Sequence, residues 1–173
     1  MDQQKPTSHI AAGLIIAGIL VVNSAVINFM GLAMQPGVGF LQPVVIVLGL
    51  IFFVRAWGKA NDYRLSFGNL FAYGFKSTAV FTIITIIFTI LFILIFPDLK
   101  EKSLDMARQQ LEENPKISEE QIEQALEISR KFFWVAVVGG SMLSMIITGA
   151  IGSLIGAALT KKQPNSPFDQ QPQ

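Results

Sequence analysis

The side chains able to do chemistry are few and scattered. Cys is absent, which removes a thiolate nucleophile, a disulfide framework and any Cys-based zinc or iron–sulfur site. His9 is the only histidine, lies at the edge of an apolar run, and has no partner at zinc-ligand spacing. Glu119, Glu123 and Glu127 step by four, which sets three carboxylates on one helical face. That spacing suits a solvated acidic face, or weak binding of a divalent cation. Lys76 stands inside an otherwise apolar segment, and a charge at membrane depth is a functional hypothesis by default. Placed near the end of its segment, its long stem can instead snorkel to the headgroups. Asn23 and Asn28 are amides in a hydrocarbon-like run, where an amide needs a partner. Asn23, near the middle, is the best candidate for an interhelical hydrogen bond or a polar pocket. Thr78, Thr82, Thr85 and Thr89 place four hydroxyls on one helical face. They read either as a packed seam with each hydroxyl on a carbonyl of its own helix, or as the lining of a polar path.

No GxSxG, HExxH or phosphate-cradling glycine loop is present. The inventory gives no catalytic, cofactor or metal site, so no enzyme activity and no cofactor are expected. The most regular pattern is structural. Ala136, Gly140, Ser144, Thr148, Gly152, Gly156 and Thr160 recur every four residues, widened by Ser141, Gly149, Ser153 and Ala157. A helix with so flat a face lets another backbone approach closely, and Gly152 with Gly156 is a GxxxG pair. The partner is either another helix of the same chain or a second copy, giving a homo-oligomer or membrane-protein contact through this segment.

The elements that carry these residues follow from hydropathy. The chain of 173 residues is 51% hydrophobic and 14% charged, and 15 of its 25 charged side chains fall between Asp98 and Lys131. So much apolar surface excludes a soluble globule and a disordered chain. A net charge of +1 with no basic face gives no reason to expect nucleic acid as a partner; the lipid bilayer is the expected one. A spanning helix needs roughly 20 apolar residues, and four segments qualify: about 10–34, 38–57, 70–96 and 132–159. The first is too long for a signal-peptide core and lacks a cleavage pattern, so it reads as a retained span. The second is short between Pro43 and Trp57, so residues before Pro43 must help it cross or the membrane must thin. A tight turn at 35–39 makes the first two spans an adjacent antiparallel hairpin. The third is rich in Ile, Phe and Thr, but its length suits a tilted helix and no ordinary strand.

Residues 98–131 form a polar excursion with two helix signals around Asn114-Pro115. Asp98 with Glu101 resembles one capping box and Ser118 with Gln121 a second. The second helix is expected to run directly into the fourth span. Residues 163–173 read as a disordered tail. The expected fold is therefore all-α, an integral membrane four-helix bundle with an extramembrane helical hairpin between the third and fourth spans.

Orientation rests on Lys and Arg near the span ends. Lys5, Arg55, Lys59, Arg64, Lys161 and Lys162 would face one side, and Lys100, Lys102, Arg108, Lys116, Arg130 and Lys131 the other, six against six. Lys76 breaks the tie, and the second group is diluted by nine acids. Both termini are expected in the cytoplasm.

These features together resemble a bacterial membrane-protein family called domain of unknown function 4199. The resemblance rests on the N-terminal helical pair and on Arg64-Leu65-Ser66-Phe67-Gly68-Asn69-Leu70-Phe71-Ala72-Tyr73-Gly74-Phe75 at the start of the third span. It continues through Phe96-Pro97-Asp98 with Glu101-Lys102, and a final helix ending Ser153-Leu154-Ile155-Gly156-Ala157-Ala158-Leu159 before two lysines. It covers most of residues 8–162. It implies a multi-pass protein of the bacterial inner (plasma) membrane, and it brings no activity, ligand or catalytic residue. The functional expectation is an accessory, assembly or structural component of the membrane. The alternative is a small transporter or channel subunit, working as an oligomer through Asn23, the threonine stripe and the kink at Pro43.

Overall fold

The computed structural model describes residues 6–32, 35 and 37–161. Its elements in chain order are α1 (His9–Phe29), a short 3-10 turn (Val38–Phe40), α2 (Leu41–Ala60), α3 (Phe67–Ile95), α4 (Asp98–Glu112), α5 (Glu119–Lys131), a π-helical turn (Val135–Gly139) and α6 (Gly140–Leu159). Among the described residues there is no strand. The fold is an all-α membrane helical bundle. Four helical stretches, His9–Phe29, Val38–Ala60, Phe67–Ile95 and Val135–Leu159, are long and apolar enough to cross a membrane.

Local chemistry sets the ends. Ser8 caps α1, its hydroxyl accepting from Ala11 N, and Ser66 caps α3 by accepting from Asn69 N. After α1 the chain turns through Gly31 and Gly37, both at positive φ, where glycine alone is unstrained. The turn expected at 35–39 falls here, with Gln35, Gly37 and the first 3-10 residues described and Pro36 outside the described residues, as is the tail 163–173. The 3-10 turn at Val38–Phe40 supplies the extra length that α2 needs. Together they give 23 residues, about 34 Å at 1.5 Å per residue.

The packing differs from a simple sequential hairpin. α1 and α2 do touch, with Ile16 against Gly49, but each has its main partner elsewhere. α1 runs parallel to α3: Tyr73 Oη donates to Thr7 O at 2.9 Å at one end, and Phe29 meets Phe92 and Phe96 edge-on at the other. α2 runs parallel to α6, with Val47 and Leu50 at Gly152, Val54 at Gly156, and Gly58 at Thr160. α3 and α6 are antiparallel, with Gly74 at Ser153 and Thr78 at Gly149. The close approaches allowed by glycine decide these pairings.

Ile16, Ala17, Leu20, Ile46, Leu50, Phe81 and Met145 form the interior on the hairpin-proximal side of the bundle, and Ala12, Val54, Leu70, Tyr73 and Ala157 continue it toward the termini. Outward-facing positions are equally apolar: Leu14, Phe52, Ile83, Ile87, Leu91, Ile147 and Ile151 are all exposed. A surface of that kind belongs against acyl chains.

The link from α5 to α6 is interrupted. α5 ends at a cap on Phe132 and the π turn intervenes before Gly140. The register explains it. Stepping back from buried Met145 reaches Ser141, Val138 and Trp134, whereas the buried residue is Phe133, on the stripe of Leu126 and Ile122. The two apolar faces are one residue out of phase, and a π turn absorbs one residue. The start of α4 also differs from the sequence reading. Pro97 is the N-cap position and makes no side-chain cap bond, so Asp98 and Glu101 sit in the first turn as acids at a positive helix end. The second capping box forms as expected, Ser118 Oγ accepting from Gln121 N and Gln121 Oε1 from Ser118 N.

Candidate functional site

The small-residue strip of α6 divides between two environments. In its C-terminal half, Gly149, Gly152, Ser153, Gly156 and Ala157 are buried and wedge between α2 and α3. A Cβ at Gly152 would lie 3.0 Å from Leu50 Cδ1 and 3.1 Å from Val47 Cα; at Gly156 it would lie 3.0 Å from Val54 Cβ. At Gly149 it would collide with Thr78. This half is a seam within one chain. In the N-terminal half, Gly140 and Ser144 are exposed and Thr148 is half-buried, with Gly140, Ser144 and Thr148 beside a shallow crevice that reaches Gln42 and Pro43 of α2.

The hydroxyls and amides of the spans behave unequally. Thr78 donates to Gly74 O and Thr89 to Thr85 O, each within its own helix. Thr82 and Thr85 are 3% and 2% exposed, and neither hydroxyl has a partner among the described residues. Asn28 donates to Ser24 O at 2.9 Å, again within one helix. Asn23 Nδ2 is buried without a partner among the described residues, so of the two expectations, an interhelical bond or a polar pocket, the bond does not form there, and the residue borders a shallow, mostly apolar groove with Gly18 and Val22. Lys76 is exposed, in the third turn of α3, beside a small recess with His9 and Trp57. Twenty residues counted back from Ile95 reach Lys76, the length of one bilayer crossing, and its exposed side chain is compatible with the expected snorkelling.

The structure brings some of these residues to one place. A cavity of about 440 Å³ lies where α1 and α3 meet α4, at the hairpin end of the bundle. Ser24, Asn28 and Thr89 contribute polar groups from the spans, and Phe88, Phe92, Ile93 and Met106 give an apolar floor. Lys102, Asp105 and Gln109 stand at the α4 rim. Lys102 and Asp105 take part in none of the ion pairs among the described residues. An apolar floor beneath a rim of both charges suits an amphipathic molecule at the membrane surface. Asn23, Thr82 and Thr85 do not line this cavity.

The hairpin is fastened by a residue that sequence spacing did not single out. Arg108 of α4 pairs with Glu112 at 2.8 Å in its own helix and reaches across to Glu119 and to Glu123 at 3.0 Å on α5. Hydrogen bonding to Glu112 and the charge of Glu123 raise the Arg108 pKa further above its ordinary value. The stripe Glu119, Glu123, Glu127 is thus partly used internally. Among the described residues no three His, Asp or Glu side chains gather as a metal cluster.

Four long apolar helices closed around an apolar interior, with a charged hairpin at one end, define a small helical membrane protein. Residues 11–162 match the sequence profile described as "Protein of unknown function (DUF4199)", and the chain belongs to that family. No curated protein and no solved structure matches the chain.

Proposed function

We propose that the protein is an accessory, assembly or structural component of the bacterial inner membrane. In this reading it crosses the bilayer four times, keeps both termini in the cytoplasm, and offers its acidic hairpin to a partner on the opposite face. It works without catalytic chemistry and without a cofactor. The supporting observation is the closed interior: Ile16, Leu20, Leu50 and Phe81 are 0% exposed and fill the bundle axis where a transport path would run. Apart from Lys76, the charged groups gather at the two ends. The hairpin, by contrast, is built to hold a shape, capped at Ser118 and clasped by Arg108, with Glu120 and Glu127 left exposed. The exposed Gly140 and Ser144 of α6 provide a flat surface in the adjoining half of the bundle, suited to a second copy or another membrane helix.

Site-specific photo-crosslinkers test this reading in native membranes. Probes at Glu120 and Glu127 should give discrete adducts that probes at lipid-facing Leu14 and Ile83 do not. Equal yields from all four positions would refute it.

A transporter or channel subunit is the second reading. It is favoured by the hairpin-end cavity and by the unpartnered Asn23 amide and Thr82 and Thr85 hydroxyls. Four helices seldom enclose a path alone, so it requires an oligomer. Solute flux through reconstituted protein that disappears on Asn23→Leu would establish it over the first.

A further inference from the structure

The opposite end of the bundle carries a second cavity, of about 460 Å³, between the C-terminal ends of α2 and α6. Ile51, Phe52 and Leu159 give it an apolar wall, and Arg55, Lys59 and Lys161 line it together. The convergence is set by the fold. Gly58 packs so closely on Thr160 that a Cβ there would collide, and the residues that follow each member of this contact are Lys59 and Lys161. Arg55 stands one turn earlier on α2.

None of the three cations takes part in an ion pair among the described residues. The described acids are Asp62 and the nine of the hairpin at the far end of the bundle, and no carboxylate lines this cavity. Lys59 and Lys161 each complement the negative end of a helix, which accounts for either lysine alone. It does not account for three like charges brought to one apolar-walled cavity, an arrangement that is repulsive until an anion joins it.

The adjoining turn adds a second sign. Asp62 and Tyr63 take φ of 50° and 59°, consecutive left-handed residues that are not glycine. The turn is held by Tyr63 N donating to Gly58 O at 2.9 Å and Asp62 N to Lys59 O at 3.0 Å. Strained backbone of this kind persists where surrounding structure enforces it, and here it sets Tyr63 against the cavity.

We propose that this cavity binds the phosphate headgroup of an anionic phospholipid, with an acyl chain lying along Ile51, Phe52 and Leu159. Basic pockets between membrane helices recognise such headgroups through the same combination of converging cations and lipid-facing wall. The apolar wall and the position at a membrane edge favour a lipid over a free anion, which would have no use for the wall.

The test uses the full chain in mixed micelles, titrated with phosphatidylglycerol or phosphatidylcholine and read by native mass spectrometry. Wild-type protein should retain phosphatidylglycerol over phosphatidylcholine. Retention should fall roughly five-fold for each cation removed, about a hundred-fold for Arg55→Gln/Lys59→Gln/Lys161→Gln together. A triple variant of equal charge change on the hairpin, Lys100→Gln/Lys116→Gln/Lys131→Gln, should retain the lipid as wild type does. If the first triple variant fails to fold, Lys161→Gln alone, exposed beyond the end of α6, should still show the five-fold loss. Equal retention by wild type and these variants, no preference over phosphatidylcholine, or displacement by excess inorganic phosphate would each overturn the assignment.

Discussion

Gly149→Ala probes the packing of α6 most sharply. The added methyl would strike the side chain of Thr78, whose position is fixed by its hydroxyl bond to Gly74 O at 3.1 Å. Over-packing of this kind costs about 1–3 kcal/mol. Gly18→Ala is the internal control, since nothing lies within 4 Å of a Cβ there, and it should be neutral or up to about 1 kcal/mol stabilising. Thr78→Ala removes Cγ2 and Oγ1, the two closest of the struck atoms, and leaves only Cβ at 2.9 Å, so the double variant Gly149→Ala/Thr78→Ala should recover about 1 kcal/mol relative to the sum of the single changes. Unfolding by denaturing detergent gives the readout, followed by fluorescence of Trp57, which stacks on Tyr73 at 4.5 Å. Because the seam lies within one chain, the loss should not depend on protein concentration in the micelle. Equal stability of the Gly149→Ala and Gly18→Ala variants, or a loss that grows on dilution, would refute the intramolecular seam.

Tyr73→Phe removes the Oη bond to Thr7 O, and should cost about 0.5–1.5 kcal/mol and quicken proteolysis before His9, read by peptide mapping. Ser118→Ala breaks the capping box of α5 and should cost that helix about 1 kcal/mol, seen as faster amide exchange in its first turn. Arg108→Gln should modestly raise exchange near the hairpin tip, around Glu112 and Glu119, with the burial of Leu104, Ile122 and Leu126 retained and high salt partly mimicking the change because the partners are exposed. The Arg108 pKa is raised, so its stabilising charge is present below its ordinary value and lost only as pH rises above it. Moving from neutral to about pH 10 should therefore change the hairpin's exchange only through the intrinsic pH dependence of amide exchange, with protection factors unchanged.

The spans and the hairpin were legible because length and hydropathy are one-dimensional properties. The Asn114-Pro115 breaker and the Ser118 box could be read the same way. Helix pairing could not. The long helices are apolar over most of their circumference, so hydropathy gives no stripe that says which side faces a neighbour, although the threonines of α3 do mark its buried face. The glycines were the exception: spacing marked Gly152 and Gly156 as a contact face, yet only the structure gives α2 as their partner. The depth of Asn23 in its span pointed to an interhelical bond or a polar pocket, and among the described residues its amide makes no such bond, because depth says nothing of the neighbour's chemistry. The continuity expected from α5 into α6 failed on a one-residue phase difference that hydropathy smooths over. Arg108 and both end cavities escaped notice since each joins residues far apart in the chain. Lys59 and Lys161 stand about a hundred positions apart, and the α2–α6 seam ending at the Gly58–Thr160 contact makes them neighbours.

The absence of Cys allows the topology to be measured directly with single substitutions and a membrane-impermeant maleimide. Gln35→Cys and Lys116→Cys should label from one side of sealed membranes, and Arg64→Cys and Lys161→Cys only from the other. Labelling of Arg64→Cys and Lys116→Cys from the same side would contradict a four-crossing bundle with its hairpin opposite its termini.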